Sequence, residues 1–296
     1  MTVLVTGGTG FVGRFVVEAQ LREGRAVRVM GRTAPTGAFF SAPVEVVAGS
    51  LDPDRDQSAA FEGVSALVHA AFDHLPGRYR GGEGDDAAGF RRRNLDGSVA
   101  LFEAARRAGV GRAVFLSSRA VYGDQPAGVD LSETTEPHSD TLYGEVKLAA
   151  ERALAAMSDD EFRGVTLRVT GVYGPAAPGR THKWSDLFDD YLAGRAVSPR
   201  RATEVHGDDV AAAVLLALDA PEPPPVLNVS DILLDRHELL AIVQAATGCA
   251  HPLPSRSVEP VNAMNCDLLR SLGWRPGGVE LLEQMVVKLL QARRPT

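Results

Sequence analysis

Tyr143 and Lys147 stand four residues apart in Tyr143-Gly-Glu-Val-Lys147, so a helix through them carries phenol and ammonium on one face. An unperturbed phenol ionises at about pH 10. A neighbouring cation favours the phenolate and moves the group toward neutrality, where it can take a proton from an alcohol or return one to a carbonyl. The chain has three lysines and five tyrosines, and chance gives this spacing with a probability of only ~0.05. Upstream, Phe115-Leu-Ser-Ser-Arg-Ala-Val-Tyr-Gly123 sets two hydroxyls at the end of an apolar run. A hydroxyl at a strand's carboxyl end can donate to a substrate oxygen on which charge develops. Ser118 is the candidate and Ser117 the second choice; a serine that only satisfies a local turn is the alternative, more apt for Ser117.

A third element opens the chain. Val3-Leu-Val-Thr-Gly-Gly-Thr-Gly-Phe-Val-Gly13 is a buried-strand pattern that breaks into glycines and resumes with helical spacing at Phe11, Phe15 and Val16. Gly7, Gly10 and Gly13 allow a sharp turn and a close backbone approach, and the next helix start offers free N–H groups to a pyrophosphate. Strand before and helix after is the context that makes a glycine fingerprint read as dinucleotide binding rather than as a turn in some other α/β domain.

These residues need a scaffold. Apolar or β-branched runs at 27–30, 44–47, 66–70, 113–116 and 165–169 alternate with helical patterns, clearest over 94–108 and 143–157. Alternation of this kind predicts βαβ units: a doubly wound parallel sheet of Rossmann type, with ligands at the carboxyl ends of the strands. Residues 1–173 form the expected dinucleotide domain. Residues 174–296 are expected to make mainly a small α+β substrate lobe, some segments returning to the first domain. The polar, glycine-rich stretch 76–89 has no period and reads either as a mobile loop near the site or as a surface insertion.

Bulk properties narrow the function. The 296 residues are 45% hydrophobic and 23% charged with a formal charge of −7, which argues against nucleic-acid or anionic-membrane partners. Arg91, Arg92 and Arg93 form the densest basic run; it reads as a solvated helix start, attraction of an anionic substrate being the minority reading. Cys249 and Cys266 have neither metal-ligand nor disulfide spacing, no metal site is expected, and no apolar run reaches membrane-spanning length. Because the first core strand starts at once, the expectation is a cytoplasmic protein without a signal peptide.

Together the glycine loop, Ser-Ser-x-x-Val-Tyr-Gly, Tyr-x-x-x-Lys, Leu167-Arg-x-x-x-Val-Tyr-Gly-Pro175, Val205-His-Gly-Asp-Asp-Val210 and Leu272-Gly-Trp-Arg-Pro276 resemble the extended short-chain dehydrogenase/reductase, or NAD(P)-dependent epimerase/dehydratase, family. The resemblance implies an oxidoreductase in which Ser118, Tyr143 and Lys147 are catalytic and hydride moves between a nicotinamide and a hydroxyl or carbonyl carbon. It implies cofactor contacts at Gly7, Gly10, Phe11, Val12, Gly13, Ala70, Ala71, Asn94, Tyr143, Lys147 and Thr170. It implies a small-molecule substrate, a sugar, sugar derivative or nucleotide sugar, and a homodimer through helices 94–108 and 143–157. Apolar faces on those helices are equally explained by a monomer core.

Departures refine this. Gly31 and Arg32 stand where NAD-preferring members carry an acid, so NADP is favoured over NAD, Arg32 pairing with the 2′-phosphate; a solvated turn residue is the alternative, and Arg28 is a weaker candidate. Ser50 replaces an aspartate, leaving the adenine contact weaker or on the Leu51 backbone. Arg119-Ala120 stands where 4,6-dehydratases carry Asp-Glu, and Ala202 where nucleotide-sugar members commonly carry arginine; His206 reads as a structural loop residue. Net oxidation or reduction with exchangeable cofactor is the first expectation and nucleotide-sugar epimerisation with retained NAD the second. A non-catalytic dinucleotide sensor is the third.

Overall fold

The computed structural model describes residues 1–35, 37, 39–74, 82, 84–177 and 179–292. In chain order its first elements are β1 (Thr2–Thr6), α1 (Phe11–Arg22), β2 (Ala26–Gly31), β3 (Glu45–Ala48), β4 (Ala66–His69), α2 (Ala87–Arg91), α3 (Gly97–Arg107), β5 (Arg112–Ser118), α4 (Leu142–Met157) and β6 (Arg163–Val169). There follow β7 (Gly171–Tyr173), α5 (Ser185–Leu192), β8 (Arg201–His206), α6 (Gly207–Asp219), β9 (Val226–Val229), β10 (Ile232–Asp235), α7 (Arg236–Thr247), α8 (Asp267–Ser271) and α9 (Gly278–Gln291).

Seven strands form one parallel sheet in the order β3-β2-β1-β4-β5-β6-β9, and β10-β8-β7 form a second, smaller sheet. Strand β1 shows why the large sheet is buried on both faces. Val3 and Val5 point into one apolar layer with Val16 and Val17 of α1 and Val210 and Val214 of α6, while Leu4 points into the other with Leu101 and Phe102 of α3 and Leu154 of α4. The apolar faces of α3 and α4 are thus spent in the core of their own chain. Strand β9 lies outside residues 1–173 yet pairs with β6, so the C-terminal third contributes a strand to the large sheet. Around it, α5, α7 and α9 pack a separate cluster that includes Tyr173, Phe188, Leu240 and Val286.

The sheet order reverses between β1 and β4, and that reversal opens the crevice in which such sheets bind ligands. Two expectations need correction here. The helical run begins before residue 94: α2 starts at Ala87, capped by Asp86, whose carboxylate accepts from Gly89 N at 2.8 Å, and a π-helical turn, Arg92–Asp96, joins it to α3. Residues 87–89 therefore belong to a helix and not to a loop; residues 76–81 and 83 of the proposed loop lie outside the described residues. No helix among the described residues is long and apolar enough to cross a membrane.

Candidate active site

The glycine loop lies between β1 and α1. Gly10 caps α1 with no side-chain hydrogen bond, and the first turn holds no acid, so the N–H groups of the first turn, Phe11, Val12 and Gly13, have no side-chain cap. A Cβ at Gly7, where φ is +68°, would sit 2.6 Å from Ala71 N, and one at Gly13 would overlap the Gly7 carbonyl oxygen. The turn therefore packs backbone against backbone and leaves no room for a side chain at Gly7 or Gly13. Gly13→Ala is expected to cost about 2 kcal/mol or more and to weaken dinucleotide binding. Gly24→Ala, with a similar φ of +68° and no neighbour within 4 Å, is expected to cost about 1–2 kcal/mol and leave binding intact. Thermal melts and cofactor titrations of both variants check this.

A directional hydrogen-bond chain ties this loop to the end of β4. Ala71 N donates to Thr6 Oγ1 (3.3 Å), which lies 2.6 Å from His69 Nδ1, and His69 Nε2 lies 2.8 Å from Ser98 Oγ. Ser98 gives its proton to the Asn94 carbonyl (2.5 Å), so it must accept from Nε2–H, and Thr6 must donate to Nδ1. Burial drives the His69 pKa down to about 3, which keeps the ring neutral for both roles. Asn94, which the π turn points inward, clamps Asp73: its Oδ1 accepts from Asp73 N and its Nδ2 donates to Asp73 O, both at 2.7 Å.

The other reactive candidates arrive from α4. Thr141 caps the helix, its hydroxyl accepting from Gly144 N at 3.1 Å. One face then carries Tyr143, Lys147 and Glu151 at four-residue intervals. The Tyr143 ring meets Phe72 edge-on with centroids 5.0 Å apart. Lys147 Nζ donates to Leu116 O at 2.7 Å and lies 4.4 Å from the Phe72 ring centroid, 4.7 Å from that of Phe115 and 6.0 Å from that of Tyr143. Full burial pulls the lysine down to about 7, and Glu151 opposes this only in part. The Glu151 charge is already shared, because Arg168 Nη2 bonds it at 2.8 Å and Ser117 donates to it.

The turn role expected of Ser117 falls to Ser118. The hydroxyl in the turn is that of Ser118, which accepts from Ala120 N at 3.1 Å and retains its own proton to donate, whereas Ser117 is buried on Glu151. Glu151 and His69 went unnoticed in the sequence. The first could have been found as the next residue on the Tyr143–Lys147 face, the second as a polar residue at the end of the apolar run 66–68.

At the end of β2, Arg32 is exposed, 3.9 Å from Asp73. Ser50 Oγ accepts from Asp52 N at 3.2 Å, and a Cβ at Gly97 would overlap the Leu51 carbonyl, which brings α3 hard against that loop. Arg28 is unavailable: it bonds Glu45 at 2.7 Å and the Ala60 and Glu62 carbonyls. The arginine run lies largely exposed in the first turns of the helical stretch, as the solvated reading expects, and each member also pairs with acid on another segment: Arg91 with Glu145, Arg92 with Asp52 and Asp54, Arg93 with Asp73 and Asp86. Thr170 gives its hydroxyl to the Thr203 carbonyl (2.8 Å), a tie to the second sheet rather than to the glycine loop. His206 Nδ1 accepts from Asp208 N at 3.1 Å and so caps α6. No cluster of metal-binding side chains is found among the described residues.

Comparison with known proteins bears on this arrangement. Residues 3–230 match the model of the NAD dependent epimerase/dehydratase family. A 3 beta-hydroxysteroid dehydrogenase/Delta 5-->4-isomerase of Mycobacterium tuberculosis is 34% identical over 200 residues, 65% of this chain but only 52% of the relative, so the match spans about half of that protein. Sterol demethylase protein B of Methylococcus capsulatus is 30% identical over 276 residues, 88% of this chain and 78% of the relative. Among solved structures, MoeE5 in complex with UDP-glucuronic acid and NAD superposes with a TM-score of 0.81 at 27% identity, covering 99% of this chain and 100% of the other.

Proposed function

The chain belongs to the NAD dependent epimerase/dehydratase family, and from that premise we propose that it is a nicotinamide-dependent oxidoreductase acting on a hydroxyl or carbonyl carbon. One observation carries the reading: Tyr143 and Lys147 both pack on Phe72, the residue after Ala71, which itself abuts Gly7 of the phosphate cradle. Proton-transfer groups and dinucleotide cradle are therefore contiguous. When bound, the nicotinamide supplies or accepts the hydride.

The chain's own residues do the rest. Tyr143 gives or takes the proton at the substrate oxygen, and Ser118 donates a hydrogen bond to that oxygen as its charge grows. Lys147, its charge disfavoured by burial, gains from an adjacent phenolate, so the two ionisations support each other. We assign Gly7, Gly10, Phe11, Val12 and Gly13 to the pyrophosphate, Ala70 and Ala71 to the cofactor wall, and Ser50, Leu51 and Asn94 to the adenosine end. In this reading Arg32 favours NADP over NAD, because β2 itself ends in Gly31 and Arg32 rather than in an acid, and the guanidinium can pair with a 2′-phosphate.

The substrate we propose is a sugar or sugar derivative. That reading is supported by the similarity to MoeE5, solved in complex with UDP-glucuronic acid and NAD. A cytoplasmic protein with two free thiols and a homodimer through the outer faces of α3 and α4 complete the proposal.

Thermal-shift titration with NAD, NADP, free sugars and nucleotide sugars, followed by turnover at the reduced-nicotinamide band, tests it. Stabilisation by NADP above NAD and a net absorbance change support the reading. Conversion of a nucleotide sugar with no net absorbance change marks an epimerase that retains its cofactor. No dinucleotide binding at all contradicts it.

A further inference from the structure

Asp73 stands out as a charge held in place at the point where the cofactor reading needs a cation. Its backbone is clamped on both sides by Asn94, at 2.7 Å each. Its carboxylate is bonded by Arg93 Nε at 2.6 Å, and Arg93 is in turn held by Asp86 at 3.3 Å. Its second oxygen faces Arg32 at 3.9 Å. The Arg32 side chain is 81% exposed and that of Asp73 34%, so one partner swings in solvent while the other is fixed. Arg32 reaches from the end of β2 and Asp73 from the end of β4, the strands that flank β1. An anion on Arg32 must therefore arrive beside an immobile negative charge.

We infer that Asp73 is a specificity-determining residue: an internal anion that occupies Arg32 and that the 2′-phosphate of NADP has to displace. The inference rests on the proposed role of Arg32. A dinucleotide without that phosphate leaves the pair undisturbed, so Asp73 weakens NADP binding selectively and narrows the preference that Arg32 creates. Arg93 is the positioning residue that stops Asp73 from turning away. A phosphate dianion and a carboxylate within one Debye length repel enough to change affinity roughly tenfold in dilute salt.

The test is a titration of the full chain with NADP and with NAD, for wild type, Asp73→Asn, Arg32→Ala and the double variant. Asp73→Asn is expected to tighten NADP binding about tenfold, and the gain shrinks as salt is added. Arg32→Ala weakens NADP binding about tenfold, and in its presence Asp73→Asn brings a smaller gain, since only the direct repulsion is then relieved and no competition for Arg32 remains. If Arg32→Ala leaves the NADP to NAD ratio unchanged, the Arg32 reading itself fails. If Arg32→Ala acts but Asp73→Asn is silent, the inference fails alone. A ratio that rises only because NAD binding weakens also overturns it, since Asp73 then serves a ribose hydroxyl. Asp73→Ser carries the same expectations should the asparagine variant not fold.

Discussion

Tyr143→Phe is expected to lower turnover roughly 10²–10⁴-fold while cofactor affinity and melting temperature stay close to wild type. The phenylalanine keeps the ring that meets Phe72 edge-on at 5.0 Å, so packing survives and only the ionisable oxygen is lost. Initial rates with a substrate found in the sugar panel, together with a dinucleotide titration and a thermal melt, check the three quantities. Turnover within threefold of wild type would remove Tyr143 from the chemistry.

Lys147→Met is expected to do two opposite things: abolish turnover and stabilise the cofactor-free protein. Lys147 is buried, and desolvation lowers its pKa from 10.5 to about 7. The unfolded chain thus binds a proton that the folded chain has lost between those two values, and wild-type stability rises with pH through that window. Below pH 7 the cost of the buried ammonium is fully present. A methionine of similar volume removes this cost but forfeits the bond to Leu116 O and the ring contacts with Phe72 and Phe115. The net gain is expected to be about 1–3 kcal/mol near neutral pH, a rise of about 2–5 °C in melting temperature. The difference between variant and wild type shrinks toward pH 10. Melts from pH 6 to 10 check the sign: a variant less stable than wild type at pH 6 contradicts the account. Function here opposes stability, as is common where a charge is buried for chemistry.

How much of this was legible in the sequence differs by element. Strands β1, β4 and β5 lie in the buried middle of the sheet and read as apolar runs, and the strand expectations at 3–5 and 165–169 fall within the observed β1 and β6. The short strands of the second sheet pair over long separations, Ile232 with Glu204 for example, and carry no local pattern to find. The π turn was also invisible, since one extra residue in a helical run leaves the composition unchanged, yet it is what turns Asn94 inward. In the site, Tyr143, Lys147 and the glycines announced themselves by spacing. Partners did not: Asp73, His69 and Glu151 acquire their roles only when β4, α3 and α4 are brought together. The same tertiary pairing adds three ion-pair ties to the solvated arginine run, and it moves the turn role from Ser117 to Ser118.

The most direct test is a crystal structure of the wild-type chain with NADP bound. The account predicts the pyrophosphate on the first turn of α1, the 2′-phosphate at Arg32, and the Tyr143 hydroxyl facing C4 of the nicotinamide beside Ser118. A dinucleotide seated elsewhere, or a Tyr143 hydroxyl turned away from the filled crevice, contradicts it.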